Sequence, residues 1–306
     1  MSEFDMRDIQ KSFYEDGNIS PQEADLIFQV NNAAKVYPEE WPNVFVGAIT
    51  DYLLRQQYPI DVIDESKAVW LSTRISEDGV VEGDTEMALM LNILRYAESI
   101  PPRLEKFVLD QVKMAVVDGL GALARNPEYE RNVIDAQEVE VVRLALYGSG
   151  GQGGTGITRE EAEFVFELNE ATHGAKNHPN WTDLFVGVLG FHLMATFGMY
   201  KESHEEIMDR KKWLQDSTSI PFNISTILKG FKAWYELHTE DRTPEWNKDA
   251  VIQHAEKITN DEAGWLIERL NRDGILDDNE KALLRFVKEN ASGIDPKLEQ
   301  LILKAA

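Results

Sequence analysis

Two stretches of this chain repeat, and that self-similarity limits the fold more than any other feature of the sequence. Residues 19–33, Ile-Ser-Pro-Gln-Glu-Ala-Asp-Leu-Ile-Phe-Gln-Val-Asn-Asn-Ala, lie without a gap over residues 157–171. After a small shift, Trp-Pro-Asn-Val-Phe-Val-Gly at 41–47 lies over Trp-Thr-Asp-Leu-Phe-Val-Gly at 181–187. A second correspondence sets residues 70–81 over 265–276, Glu86 over Glu280, Ala88 and Leu89 over Ala282 and Leu283, and residues 100–105 over 294–299. Two halves that share a beginning and an end are expected to fold as two related lobes.

The repeated units read as helices. Apolar residues recur at three and four spacing through Leu26, Ile27, Val30 and Ala34, and again through Leu283, Leu284 and Val287, and strand-like alternation is nowhere sustained. Ser20 and Thr158 each precede a glutamate by three residues, Glu23 and Glu161, which is the spacing of a capping box. Trp41 with Phe45, and Trp181 with Phe185, fall at helical spacing and are expected in the core, with the glycine of each block admitting a close neighbour. The apolar run at 184–199 is too short to span a bilayer and contains His192, and its counterpart at 44–54 carries Asp51, so both read as buried core helices.

The expectation is therefore an all-α protein of two pseudo-symmetric helical lobes built from duplicated helix-loop-helix units. The N-terminal lobe covers 1–147, a glycine-rich linker covers 148–156, and the C-terminal lobe covers 157–306 with an inserted segment near 216–257. The linker Gly-Ser-Gly-Gly-Gln-Gly-Gly-Thr-Gly follows no strand and ends in no Gly-Lys-Ser/Thr, so it reads as a flexible joint and not as a phosphate loop.

Composition narrows the function. With 54 acidic against 31 basic residues the formal net charge is −23, which repels nucleic-acid phosphates and anionic lipid surfaces. The expected partner is a protein, and a basic one is the better match; nucleic acid and membrane insertion are not expected. The absence of cysteine excludes disulfides, thiolate metal sites and cysteine nucleophiles. The first residues, Met-Ser-Glu-Phe-Asp-Met-Arg-Asp, lack the apolar run of a secretory signal, so a cytoplasmic location is the default.

The shared unit runs Asp-Gly, an aliphatic residue, a polar cap, then a glutamate at the helix start, as at Asp16, Gly17, Ile19 and Glu23 and at Asp273, Gly274, Leu276 and Glu280, with weaker copies around Ile134, Ile157 and Ile258. Glycine permits a positive φ at the turn, and the aliphatic residue plugs the core between two helices. The unit resembles an EF-hand loop: Asn271, Asp273, Gly274, Leu276, Asp277 and Glu280 stand at its third, fifth, sixth, eighth, ninth and twelfth positions. Arg269 stands where that loop begins with aspartate, as Arg74 does in the other half, and places a fixed positive charge at the ion's position. Arg269 is expected to pair with Asp273 or Glu280.

Residues 70–110 and 265–303 also resemble TerB-like helical domains of the tellurite-resistance group. That resemblance implies metal binding through acidic residues and a role in stress-related assemblies. The candidate metal ligands are Asp273, Asp277, Asp278 and Glu280 in one half and Asp78, Glu82 and Glu86 in the other.

A third set, His173, His178 and Asp183, falls in a histidine-rich stretch with His192 and His204. No His-x3-His pair accompanies it, so ordinary surface or core histidines are the preferred reading. No Gly-x-Ser-x-Gly elbow or contiguous catalytic motif is present. The readings rank as a non-enzymatic acidic interaction or scaffold protein, then a calcium-type divalent-cation binder, then a metal-dependent enzyme using the histidine and carboxylate set. No cofactor is expected beyond a weakly held divalent cation.

Overall fold

The structure, a computed structural model, describes residues 17–33, 38, 40–125, 129–148, 157–195, 260–272, 274–290 and 294–305. Residues 149–156 of the expected linker, the expected insertion at 216–257, His204 and the candidate ligand Asp273 lie outside them. The described residues form α-helices with short π and 3-10 turns, and the lone β-type contact among them is an isolated bridge between Val62 and Ser99. None of these helices is long and apolar enough to cross a membrane.

The described parts of Met1–Arg131 and Val141–Gln152 form one compact unit, and those of Asn132–Glu140, Gly153–Glu206 and His238–Ala306 form the other. The first unit holds α1 (Pro21–Ala33), α2 (Trp41–Asp51), α3 (Glu65–Ile75), α4 (Asp84–Tyr96) and α5 (Pro102–Lys113). The helix α6 (Ala136–Gly148) begins among residues of the second unit and ends among those of the first. The second unit continues with α7 (Arg159–Ala171), α8 (Pro179–Ala195), α9 (Asn260–Leu270), α10 (Asp278–Asn290) and α11 (Pro296–Ala305).

Three helix pairings recur in the two units, and in the second α10 packs on α11 as well. In the first, α1 packs on α2, α2 on α4, and α3 on α5; in the second, α7 packs on α8, α8 on α10, and α9 on α11. The helices start where local chemistry says they should. Ser20 Oγ accepts from Glu23 N at 3.2 Å while Glu23 returns to Ser20 N at 2.7 Å, and Thr158 and Glu161 make the same reciprocal pair, satisfying amides that a helix start leaves without partners.

The cores are aromatic. Phe28 meets Phe45 and Trp70 edge-on with centroids 5.1 and 5.6 Å apart, and Phe166 meets Phe185 and Trp265 at 5.4 and 5.5 Å in the same manner. Trp41, Phe45, Trp181 and Phe185 are buried as their spacing required. Such edge-to-face pairs each contribute about 0.5–1.5 kcal/mol beyond the area they bury.

The packing expectation is overturned at Gly47. A Cβ built there meets nothing within 4 Å, so that glycine admits no close neighbour. A tight approach does occur at Gly190 in the second unit, where a Cβ would stand 2.4 Å from Phe286 Cε1. The aliphatic plugs hold for Ile19, Val81, Ile134 and Ile157, which are buried, whereas Leu276 is only half-buried.

Candidate functional site

The repeated loops connect α3 to α4 and α9 to α10, and the residues around them decide what chemistry is open to each unit. Gly79 and Gly274 both sit at positive φ, +91° and +75°, where a side chain would be strained, and this turns the chain sharply out of the preceding helix.

In the first unit Arg74, in the last turn of α3, reaches across to α1. Its Nε and Nη2 both stand 2.7 Å from Asp25 Oδ1, and its guanidinium lies 4.1 Å over the Trp70 ring. The loop is then tied from inside by Gln111, a buried residue of α5. Its amide donates to Gly79 O at 2.9 Å and its carbonyl accepts from Val81 N at 2.8 Å. Asp78 is exposed and accepts from Val80 N and from Ser76 Oγ, an arrangement that holds its carboxyl below the ordinary range, chiefly through the Val80 amide. Glu82 forms an ion pair with Arg125. Glu86, at the start of α4, accepts from Asn31 Nδ2 at 2.6 Å, and burial pushes its pKa up.

In the second unit Arg269 is buried. It pairs with Glu163 and stands 3.4 Å from Glu170, both on α7. This corrects the expectation that Arg269 would pair with Glu280, while the other expected partner, Asp273, lies outside the described residues. The helix geometry explains why: Glu163 corresponds to Asp25, so the arginine at the end of one helix finds a carboxylate on the helix packed beside it. Glu280 is already engaged, because its Oε2 accepts from Asp277 N at 2.8 Å while Asp277 Oδ1 accepts from Glu280 N at 2.8 Å.

A buried asparagine joins each loop to the core. Asn31 Oδ1 accepts the Trp41 indole N–H at 2.9 Å, and Asn169 Oδ1 accepts that of Trp181 at 3.1 Å. Both asparagines donate their amide to a carboxylate at 2.6 Å, to Glu86 in the first unit and to Asp277 in the second. The carboxylates come from different positions. Asp277 precedes the first residue of α10, and its counterpart before α4 is Gly83, on which a Cβ would fall 1.7 Å from Glu86 Oε2. A glycine at that position leaves room for the glutamate three residues on to deliver the carboxylate in its place.

The remaining candidates do not converge. Asp278 is exposed, with Lys281 Nζ at 3.4 Å. His173 is exposed and its Nδ1 lies 3.7 Å from Asp277 Oδ2. His178 Nδ1 accepts from Asn180 N at 3.3 Å, beside the start of α8, and Asp183 is an exposed residue of α8. Among the described residues no three His, Asp or Glu side chains are grouped so as to hold a metal ion. The sequence reading missed Asn31, Asn169 and Gln111. A signal for the first two was present, since both asparagines align on otherwise apolar helix faces and buried amides require partners.

The first unit also has a groove of about 480 Å³ between α3 and α5. Ala68, Leu104 and Phe107 supply apolar lining, and Thr73, Arg103 and Lys106 are among its polar lining. Lys106 is paired with Asp110 at 2.7 Å and Arg103 stands 3.8 Å from Glu65.

No protein-family model, curated protein or solved structure matches this chain.

Proposed function

We propose that this chain is a non-enzymatic interaction protein whose first unit receives a partner polypeptide in the groove between α3 and α5. The observation that carries the reading is the employment of the loop side chains. Arg74 and Arg269 are neutralised by carboxylates on neighbouring helices, and Glu86, Asp277 and Glu280 are occupied by caps and by the asparagine links. Groups already committed to holding helices together are poorly placed to bind an ion or to move protons. That favours a scaffold over the calcium-type reading and over the histidine and carboxylate enzyme, because the histidines and Asp183 are separate.

The groove supports the same reading. It is open, mixed in polarity and flanked by ion-paired charges, which suits side chains of a docking polypeptide better than a fully enclosed small molecule. The net charge of −23 favours a basic partner and disfavours nucleic acid.

A photo-crosslinking residue placed at Thr73, which is exposed on the groove, tests this in the cells that make the protein. Adducts with one other polypeptide are expected, and the same residue placed at exposed Glu160 should give none. Absence of an adduct from Thr73, with the protein folded and abundant, would sink the reading.

A further inference from the structure

The segment between α2 and α3 folds around a single positive charge. Lys67, in the first turn of α3, is buried, and its Nζ donates to three backbone carbonyls of that segment: Gln57 O at 2.8 Å, Pro59 O at 2.6 Å and Val62 O at 2.8 Å. Only the charged form can do this, because an ammonium has three N–H donors and a neutral amine has two. Burial pushes the Lys67 pKa down, and the carboxylates of Asp64 and Asp61 oppose that shift. Asp61 lies 3.1 Å from Arg55 Nε, whereas Asp64 caps α3 and accepts from Lys67 N at 2.9 Å.

The carbonyls are held in place from outside this cage. Asp61 N donates to Leu54 O at 2.7 Å, Asp61 O accepts from Glu98 N at 2.6 Å, and Ile63 N donates to Ser99 O at 2.9 Å. The segment is thereby anchored to the turn that follows α2 and to the chain that leaves α4. Three carbonyl oxygens turned onto one point repel one another and lack partners unless a cation stands between them. Carbonyls arranged in this way are also what replaces the hydration shell of a potassium ion, which is close to ammonium in size and equal to it in charge. The frame common to both units does not require the cage, since the residue three before Trp70 is Lys67 and the residue three before Trp265 is Glu262.

We infer that the segment 57–62 is a monovalent-cation site of the potassium class whose ion is supplied by the protein itself, as the Lys67 ammonium. The segment is then indifferent to dissolved salts while Lys67 is present. Shortening the side chain opens the site to potassium or ammonium from solution. Lys67→Ala does this, whereas Lys67→Met removes the charge and keeps the space filled.

The test measures hydrogen exchange at the Asp61, Ile63 and Glu98 amides of the full chain and of both variants. Potassium, ammonium and tetramethylammonium chlorides are compared at equal ionic strength, the last ion being too large for the cage. The unmodified chain should exchange equally in all three. Lys67→Ala should exchange at least roughly tenfold faster than it in the tetramethylammonium salt, because the carbonyls have lost their donor. Potassium at about ten times its dissociation constant should slow that exchange about elevenfold, since an ion bound only to the closed segment multiplies its population by one plus the ratio of concentration to that constant. Lys67→Met should exchange fast in every salt. Unchanged exchange in Lys67→Ala, potassium acting no better than tetramethylammonium, an equal gain in Lys67→Met, or failure of Lys67→Ala to fold with potassium present would each overturn the inference. Nitrogen NMR of the unmodified chain at neutral pH needs no variant: a slowly exchanging Lys67 ammonium is expected, and a neutral amine there would overturn the inference by itself.

Discussion

Gly190 lies so close to the ring of Phe286 that a Cβ on it would stand 2.4 Å from Cε1, while the corresponding pair in the first unit, Thr50 and Asn92, is joined by a 2.9 Å hydrogen bond. One crossing of two packed helices is thus filled in two ways, by a small residue against a large one and by two polar residues of middle size. Gly190→Thr should overpack the second unit and lower its stability by about 1–3 kcal/mol. Adding Phe286→Asn should return part of that loss, giving a favourable coupling in a denaturant-based double-mutant cycle. Additive effects would show that the two positions do not compete for the same space.

The asparagine links make a second prediction. Asn169→Leu leaves the Trp181 indole N–H without its acceptor and withdraws a donor from Asp277, and Asn279 Nδ2, 2.7 Å away, loses its acceptor too. A loss of about 1–3 kcal/mol is expected for each buried group left unsatisfied, so the urea midpoint should fall clearly. Asn31→Leu should lower the midpoint likewise, because Asn31 accepts from the Trp41 indole and donates to Glu86. Negligible shifts would remove the links from the account of stability.

Glu138 supplies the pH dependence. It is buried at the start of α6, where its Oε2 accepts from Asp135 N at 2.9 Å, and burial first, with the Asp135 carboxylate beside it, pushes its pKa from 4.5 to about 9. The folded protein therefore holds a proton that the unfolded chain releases above its ordinary pKa. Stability contributed by this group is present below about 4.5 and declines as pH rises towards about 9. Glu138→Gln keeps a donor and an acceptor but cannot ionise, so its urea midpoint should decline less than that of the parent between about pH 5 and about pH 8.5. Parallel profiles would mean that Glu138 is ionised in the folded state.

Calcium affinity is the fourth. The loop after α9 should bind calcium no tighter than roughly 10⁻⁴ M, outside the range of about 10⁻⁷ to 10⁻⁵ M found for sensor sites, because Arg269 occupies the entering position and Asp277 and Glu280 cap α10. Isothermal titration of chelator-treated protein checks this, and micromolar binding would contradict it. Arg269→Asp, which restores the aspartate of an EF-hand loop, should instead set a third carboxylate beside Glu163 and Glu170. A marked loss of thermal stability is expected from that variant, on the order of 2 kcal/mol or more given the buried guanidinium it removes. Tight calcium binding by Arg269→Asp without that loss would restore the ion-loop reading.

What the amino-acid order settled by itself was local. The reciprocal caps at Ser20 and Glu23 and at Thr158 and Glu161 span three residues, and the burial of Trp41, Phe45, Trp181 and Phe185 follows from helical spacing, so both were legible before any packing was known. The positive φ at Gly79 and Gly274 belongs to the same class, being a property of a turn. The arrangements that bear on function were decided by which helices meet. Arg269 finds Glu163 and Glu170 on a helix distant in sequence, Asn31 and Asn169 obtain carboxylates from different positions of their loops, and Lys67 closes on carbonyls whose directions depend on the fold of 57–62. A charge or an amide in a sequence states what it requires; a helix packed against it supplies the partner, and that choice exists only in three dimensions.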